Sequence, residues 1–268
     1  MNAVAPQTGL WGDVRTIRNQ LLALLAGMLF LLWVEVPDSL RGIAGYEPLH
    51  SLLEIVSIVV SGLIFATVWN AQAHKTSGSM PLLAYTFLGV ALLDFSHLMS
   101  FKGMPAYVTP SDPEKAINFW LAARFLAAVS LVLVAAVPWK PLQRPVYRWG
   151  LLAGVLAFVV LAHWIFLFYP TSIPRTFIAG SGLTTLKIRL EFVLIGLHLL
   201  AAACLLRRQQ TEPGPHTTAL LGAVLTMAMS ELFFTMYANV TDLFNLAGHV
   251  YKVIAYLFLY QSIFVATV

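Results

Sequence analysis

Eight stretches of about twenty mostly apolar residues divide this chain, over about 18–36, 49–70, 80–101, 117–137, 147–169, 187–206, 217–238 and 247–267. The hydrocarbon core of a bilayer is spanned by about 20 residues of α-helix. In lipid, a helix satisfies every backbone N–H and C=O within its own segment. The chain therefore reads as all-α, a polytopic membrane helix bundle with about eight transmembrane helices. Only 10% of its residues are charged and 59% are hydrophobic, against about 25% charged in a soluble domain. The apolar runs are helix-length and no strands alternate, which argues against an outer-membrane barrel.

The connections Pro37–Pro48, Ala71–Ser79, Lys102–Ala116, Pro138–Val146, Pro170–Leu186 and Arg207–His216 are short and polar. None holds a soluble domain, so residues 1–268 read as a single integral-membrane domain. The first run follows Asp13, Arg15 and Arg18, as a signal peptide would. No small-x-small cleavage site follows it, so it reads as a retained helix. The only cysteine, Cys204, excludes an intrachain disulfide.

Basic residues set the orientation. With eight spans both ends share a side. Arg15, Arg18, Lys75, Lys140, Arg144, Arg148, Arg207 and Arg208 fall on that side, and Arg41, Lys102, Lys115, Arg175, Lys187 and Arg189 on the other. Both termini are therefore expected to be cytoplasmic. The net charge of +4 belongs to these loops and implies no nucleic-acid partner; the lipid bilayer is the partner that composition implies.

Within the spans, ionisable residues are costly and mark functional sites by default. The sharpest signal is Met229–Phe264, two apolar runs separated by the polar turn Asn239–Asn245. Glu231 lies in the first run, and His249, Lys252 and Tyr256 share one face of the second at i, i+3, i+7. Helix two opens with the i, i+4 pair His50 and Glu54, followed by Ser57 and Ser61. Helix three carries Asp94 and His97 near its end. Arg124, Glu191, His163 and His198 lie in outer halves, while the cytoplasmic halves are nearly purely apolar. The expected ligand or sensing cluster is thus His50, Glu54, Asp94, His97, Arg124, Glu191, Glu231, His249, Lys252 and Tyr256.

Three kinds of chemistry fit such a cluster. His50, Glu54, Asp94, His97, Glu231 and His249 are candidate ligands for a Zn, Mn or Fe ion, although Lys252 lies one turn from His249. Buried ion pairs of Lys252 and Arg124 with Asp94, Glu191 or Glu231 form the second possibility. An organic ligand or haem is the third, and no spacing identifies a haem-ligating pair. His163 and His198 read as packing or interfacial histidines, and Trp120 and Trp164 as an aromatic belt. His74 and His216 fall in loops. Taken singly, Tyr251, Tyr256 and Tyr260 read as interfacial or interhelical hydrogen-bonding groups. There is no phosphate loop, nucleophile elbow, kinase motif or cyclase motif.

Four stretches carry a family resemblance: LHSLLEIVSIVVSGLIFATVWN (49–70), LLDFSHLMSFKGMP (92–105), FWLAARFL (119–126) and SELFFTMYANVTDLFNLAGHVYKVIAYLFLYQSIF (230–264). The sequence resembles MASE3, a bacterial membrane-associated sensor domain. The resemblance implies an N-terminal input module in the inner membrane. Its last helix would join a cytoplasmic output domain after Val268, a histidine kinase of a two-component system or a diguanylate cyclase making cyclic di-GMP. Such outputs work as homodimers. The expected function is sensory input at the polar cluster, relayed through the last helix, with no catalysis by this chain alone. The alternative is a membrane-embedded metal-dependent hydrolase using a metal-bound water. A transporter is disfavoured by the sealed inner halves.

Overall fold

The computed structural model describes residues 14–37, 40–71, 77–140, 144–178, 180–211, 214–237 and 239–267. Among them are the eight helices α1 (Val14–Trp33), α2 (Tyr46–Asn70), α3 (Ser79–Ser100), α4 (Pro113–Ala136), α5 (Pro145–Phe168), α6 (Thr185–Thr211), α7 (Pro215–Phe234) and α8 (Leu243–Thr267). All eight are long and apolar enough to cross a membrane. His74 and Lys75 lie outside the described residues.

Local chemistry places several helix ends away from the edges of the apolar runs. Asp112 caps α4 by accepting from the Lys115 backbone N–H at 3.0 Å, with Pro113 in the first turn. That helix therefore begins four residues before its apolar run. Asp112 and Pro113 form an N-terminal signal that hydrophobicity alone passes over. At the other hairpin α7 stops at Phe234, earlier than expected. Asp242 there accepts from the Asn245 backbone N–H at 2.9 Å, so Asn245 is the third residue of α8 rather than part of the turn. The long connection before α6 folds into a small antiparallel hairpin, β1 (Phe177–Ile178) and β2 (Gly182–Leu183). Arg175 fastens it to the start of α4 by donating from Nε to Glu114 Oε1 at 2.9 Å.

The helices pack as a closed ring. α2 lies against α3, α3 against α4, α4 against α6, α6 against α7, α7 against α8, and α8 returns to α2. The remaining two helices sit outside it, α5 against α3 and α1 against α7. This explains why α3 and α7 are the most enclosed helices, while α1 is the most exposed. Helices apolar on every side belong in such covered positions.

The ring is turned inside out relative to a soluble bundle. On α2, Leu52, Ile55, Val59 and Leu63 are exposed, whereas His50, Glu54, Ser57 and Ser61 are fully buried. Lipid receives the apolar stripe and the polar stripe faces the interior, where other helices satisfy it. The α7–α8 contact is especially close. A Cβ on Gly248 would come within 2.5 Å of the Phe234 ring, and Ser230 Oγ donates to the Gly248 carbonyl at 2.8 Å. Glycine lets the two backbones approach and seats Phe234 beside the polar cluster.

Candidate functional site

The cluster occupies one end of the ring, where α2, α4, α6 and α8 begin and α3 and α7 end. Successive helices run in opposite directions, so residues early in one and late in the next come to the same depth. Two linked groups of buried polar side chains result.

The larger group joins α2, α3, α4 and α8. Glu54 is at its centre. Lys252 Nζ donates to both of its carboxylate oxygens, at 2.6 and 2.7 Å, and His249 Nδ1 lies 2.8 Å from Oε1. One turn deeper, Arg124 Nη2 donates to both oxygens of Asp94, at 2.7 and 2.8 Å. The two pairs touch, because Lys252 Nζ is 3.6 Å from Asp94 Oδ2 and the Tyr256 hydroxyl donates to the same oxygen at 3.5 Å. Trp120 lies beneath both cations, 4.6 Å from the Arg124 guanidinium and 4.7 Å from Lys252 Nζ. Its π face adds attraction to two charges already removed from water.

Three histidines crown this group. His50 stacks on Phe101 with ring centroids 4.0 Å apart and meets His249 edge-on at 4.6 Å. His97 Nδ1 donates to the Ala116 carbonyl at 2.8 Å. A carbonyl can only accept, so the proton is on Nδ1 and Nε2 carries a free lone pair. Among the described residues, neither ring nitrogen of His50 has a hydrogen-bond partner, nor does His97 Nε2. His50, Glu54, His97 and His249 each offer a ligand atom, and these atoms lie within 4.8 Å of one another. A cleft lined by His97, Phe101, Trp120, Phe234, Tyr237 and His249 borders two of the four, His97 and His249, at the loop end of the bundle.

The smaller group joins α6 and α7. Lys187 Nζ donates to the Phe234 carbonyl at 2.6 Å and lies 2.9 Å from Glu191 Oε1. It thereby places a cation at the C-terminal end of α7, where the helix dipole favours one. Tyr237, just past that end, lies 4.7 Å from Lys187 Nζ; burial pushes its phenol above the ordinary tyrosine value, so it stays protonated. Glu231 interacts electrostatically with Glu191, Arg124 and Lys187, so Arg124 connects the two groups.

The ten residues expected in one cluster are thus divided. His50, Glu54, Asp94, His97, Arg124, His249, Lys252 and Tyr256 meet in the larger group, while Glu191 and Glu231 lie in the smaller. The six expected metal ligands divide as well. His50, Glu54, His97 and His249 converge, Asp94 is taken up by Arg124, and Glu231 faces Glu191. Two further residues belong to the site. Lys187 reads from sequence as a loop charge, yet it is only 1% exposed, because it turns in toward Glu191 one helical turn on. Trp120 reads as an interfacial aromatic, yet it is 3% exposed. Its spacing of four from Arg124 is the signal that places both on one face.

The other histidines have structural roles or stay apart. His163 Nε2 and Ser96 Oγ are 2.6 Å apart, joining α5 to α3. His198 is buried on α6. His216 is in the first turn of α7 rather than a loop, with Nδ1 2.7 Å from Ser262 Oγ on α8. Trp164 is exposed, and the Tyr251 hydroxyl donates to the Leu24 carbonyl at 2.7 Å, fixing α8 to α1.

The family model MASE3, described as a membrane-associated sensor domain, matches residues 42–268. The match takes in the whole ring together with α5, and leaves out α1, which lies outside the ring. No curated protein matches the chain.

Proposed function

The chain belongs to the MASE3 family of membrane-associated sensor domains, and from that membership we propose that it is the input module of a bacterial transmembrane signalling protein. Its stimulus acts at the buried polar cluster, and α8 carries the response to a cytoplasmic output domain joined after Val268, a histidine kinase or diguanylate cyclase working as a homodimer. The observation that carries this reading is the double contact of Lys252 with Glu54. It ties the helix leading to the output to α2 through a charge pair that a ligand or a change of charge can break. Helix shifts of about 1–2 Å are enough to switch such assemblies. A stimulus drives one if it binds the two helix positions with different affinity.

The test replaces His249→Ala and Lys252→Met in the protein carrying its output domain, at equal membrane abundance. Basal output is expected to change several-fold in both. Parental output from two folded, inserted variants would make α8 a passive anchor and sink the relay.

We infer an orientation in the inner membrane with both termini cytoplasmic, so that the cluster faces the exterior. Support comes from the basic residues once buried ones are removed from the count. Lys187 and Lys115 are 1% and 6% exposed, so both are buried in the bundle. With these two set aside, the described basic residues opposite are Arg41, Lys102, Arg175 and Arg189, against Arg15, Arg18, Lys140, Arg144, Arg148, Arg207 and Arg208. In a Cys204→Ser background, single cysteines replacing Ala106 or Ser172 are expected to react with an impermeant thiol reagent outside intact cells. A cysteine replacing Gln210 is expected to stay unmodified until the cells are broken. The reverse pattern overturns the orientation.

A further inference from the structure

We propose that His50, His97, His249 and Glu54 bind one first-row transition-metal ion of the imidazole-preferring class, namely copper, zinc or ferrous iron, and that the ion competes with Lys252 for the Glu54 carboxylate. The proposal rests on the sensory reading above and names the ligand class of the same cluster.

Unsatisfied nitrogen is the first argument. Among the described residues, fully buried His50 has no partner for either ring nitrogen, and buried His97 Nε2 has none for its lone pair. Each buried polar atom left this way costs about 1–3 kcal/mol. A metal ion relieves this cost at the one lone-pair nitrogen of His50 and at His97 Nε2. Packing alone does not call for imidazole here, since His50 sits against Phe101 and Tyr46, where a phenyl ring would fit as well.

Preorganisation is the second. His97 donates its Nδ1 proton to a backbone carbonyl, which fixes the tautomer with Nε2 free, the usual outer support of a metal-bound histidine. The four candidate ligand atoms lie within 4.8 Å of one another. Inward movement of about 1 Å by each brings them to the 2.0–2.1 Å that nitrogen and oxygen ligands keep from zinc. Three imidazoles to one carboxylate favour copper, zinc or iron over manganese or magnesium, which prefer oxygen. The cleft between α3, α4, α7 and α8 borders two of the four ligands, His97 and His249.

Charge is the third argument, and it brings in Lys252. A metal ion entering beside Glu54 meets the ammonium of Lys252, whose Nζ is 2.6 Å from Glu54 Oε1, so Lys252 must give way. Lys252 has a second carboxylate within reach, since its Nζ is 3.6 Å from Asp94 Oδ2. An ion on Glu54 shifts Lys252 toward Asp94, and Lys252 carries α8 with it. Metal occupancy is thereby converted into a displacement of the helix that the sensory reading makes the relay.

The test uses the purified chain without a histidine tag and without an output domain, in lipid nanodiscs. Copper, zinc and ferrous iron are supplied separately, with a competing chelator to set the free concentration. At least one ion should bind near one equivalent per chain. His50→Phe, which keeps the stack on Phe101, should weaken binding by about 10–100-fold or more, and His163→Gln should leave it unchanged. If copper binds, its paramagnetic resonance spectrum should show coupling to imidazole nitrogen. Lys252→Met should bind about tenfold more tightly, because the competitor for Glu54 is gone. No near-stoichiometric ion, or binding that survives both His50→Phe and His97→Phe, overturns the site. Unchanged or weaker binding in Lys252→Met overturns the competition. Because binding is read without an output, its failure leaves the sensory reading standing, and a failed output test leaves the metal site standing.

Discussion

Arg124→Leu is expected to destabilise the folded bundle by about 3–5 kcal/mol. The substitution leaves Asp94 as a buried charge whose two strongest hydrogen bonds, at 2.7 and 2.8 Å, have been removed. The remaining contacts, Lys252 at 3.6 Å and the Tyr256 hydroxyl at 3.5 Å, are too long to compensate. The double variant Arg124→Leu with Asp94→Leu removes both charges and should recover a large part of the loss, because replacing a whole buried pair by apolar residues is often close to neutral. Reversible unfolding in mixed micelles measures both. A single variant within about 1 kcal/mol of the parent, a surface-pair value, would mean that water reaches Asp94.

Lys187→Met is the second large effect, about 3–5 kcal/mol by the same reasoning. Lys187 is the nearest cation to Glu191 and also satisfies the Phe234 carbonyl at the end of α7. Methionine matches its length but supplies neither proton nor charge. The loss should be local to the α6–α7 side: stability falls, while the contacts of Lys252 and Asp94 on the α2–α3 side persist. Lys187→Arg keeps the charge and should recover part of the stability. Equal stability of the methionine variant and the parent would show that Glu191 does not depend on Lys187.

The depth of the polar residues was legible in the sequence because each interrupts an otherwise apolar run. Alternating helix direction then puts His50, Asp94, Arg124, Glu231 and Lys252 at one end without any knowledge of packing. Which charge meets which was not legible. Pairing depends on the order of helices around the ring, and nothing local to α2 says that α8 lies beside it. Glu54 was a candidate metal ligand and Lys252 a candidate partner for other carboxylates, although the two bind each other. Lys187 escapes a sequence reading for a different reason. It stands at the edge of its apolar run, where a basic residue reads as loop charge, and only the neighbouring carboxylate four residues on hints that it folds inward. Trp120 reads as interfacial because an aromatic near a membrane face ordinarily is, yet it is buried beside Arg124 and Lys252. The histidine group was the most readable part, since two of its members come in pairs with an acid on the same helical face.

Ring closure between α2 and α8 also bears on how the chain is made. Glu54 and Lys252 are 198 residues apart in sequence. At a synthesis rate of about 5–20 residues per second, Lys252 emerges about 10–40 s after Glu54. During that interval α2 has entered the membrane without the cation that neutralises its carboxylate. Glu54 is only two turns from the start of its helix, so its side chain can reach the headgroup region until α8 arrives. Assembly is therefore ordered by the last helix: its insertion withdraws a carboxylate from the interface, and every earlier nascent chain is an open arc with an acidic edge. Quality control that recognises intramembrane charge has a substrate in any chain whose synthesis stops short of Lys252.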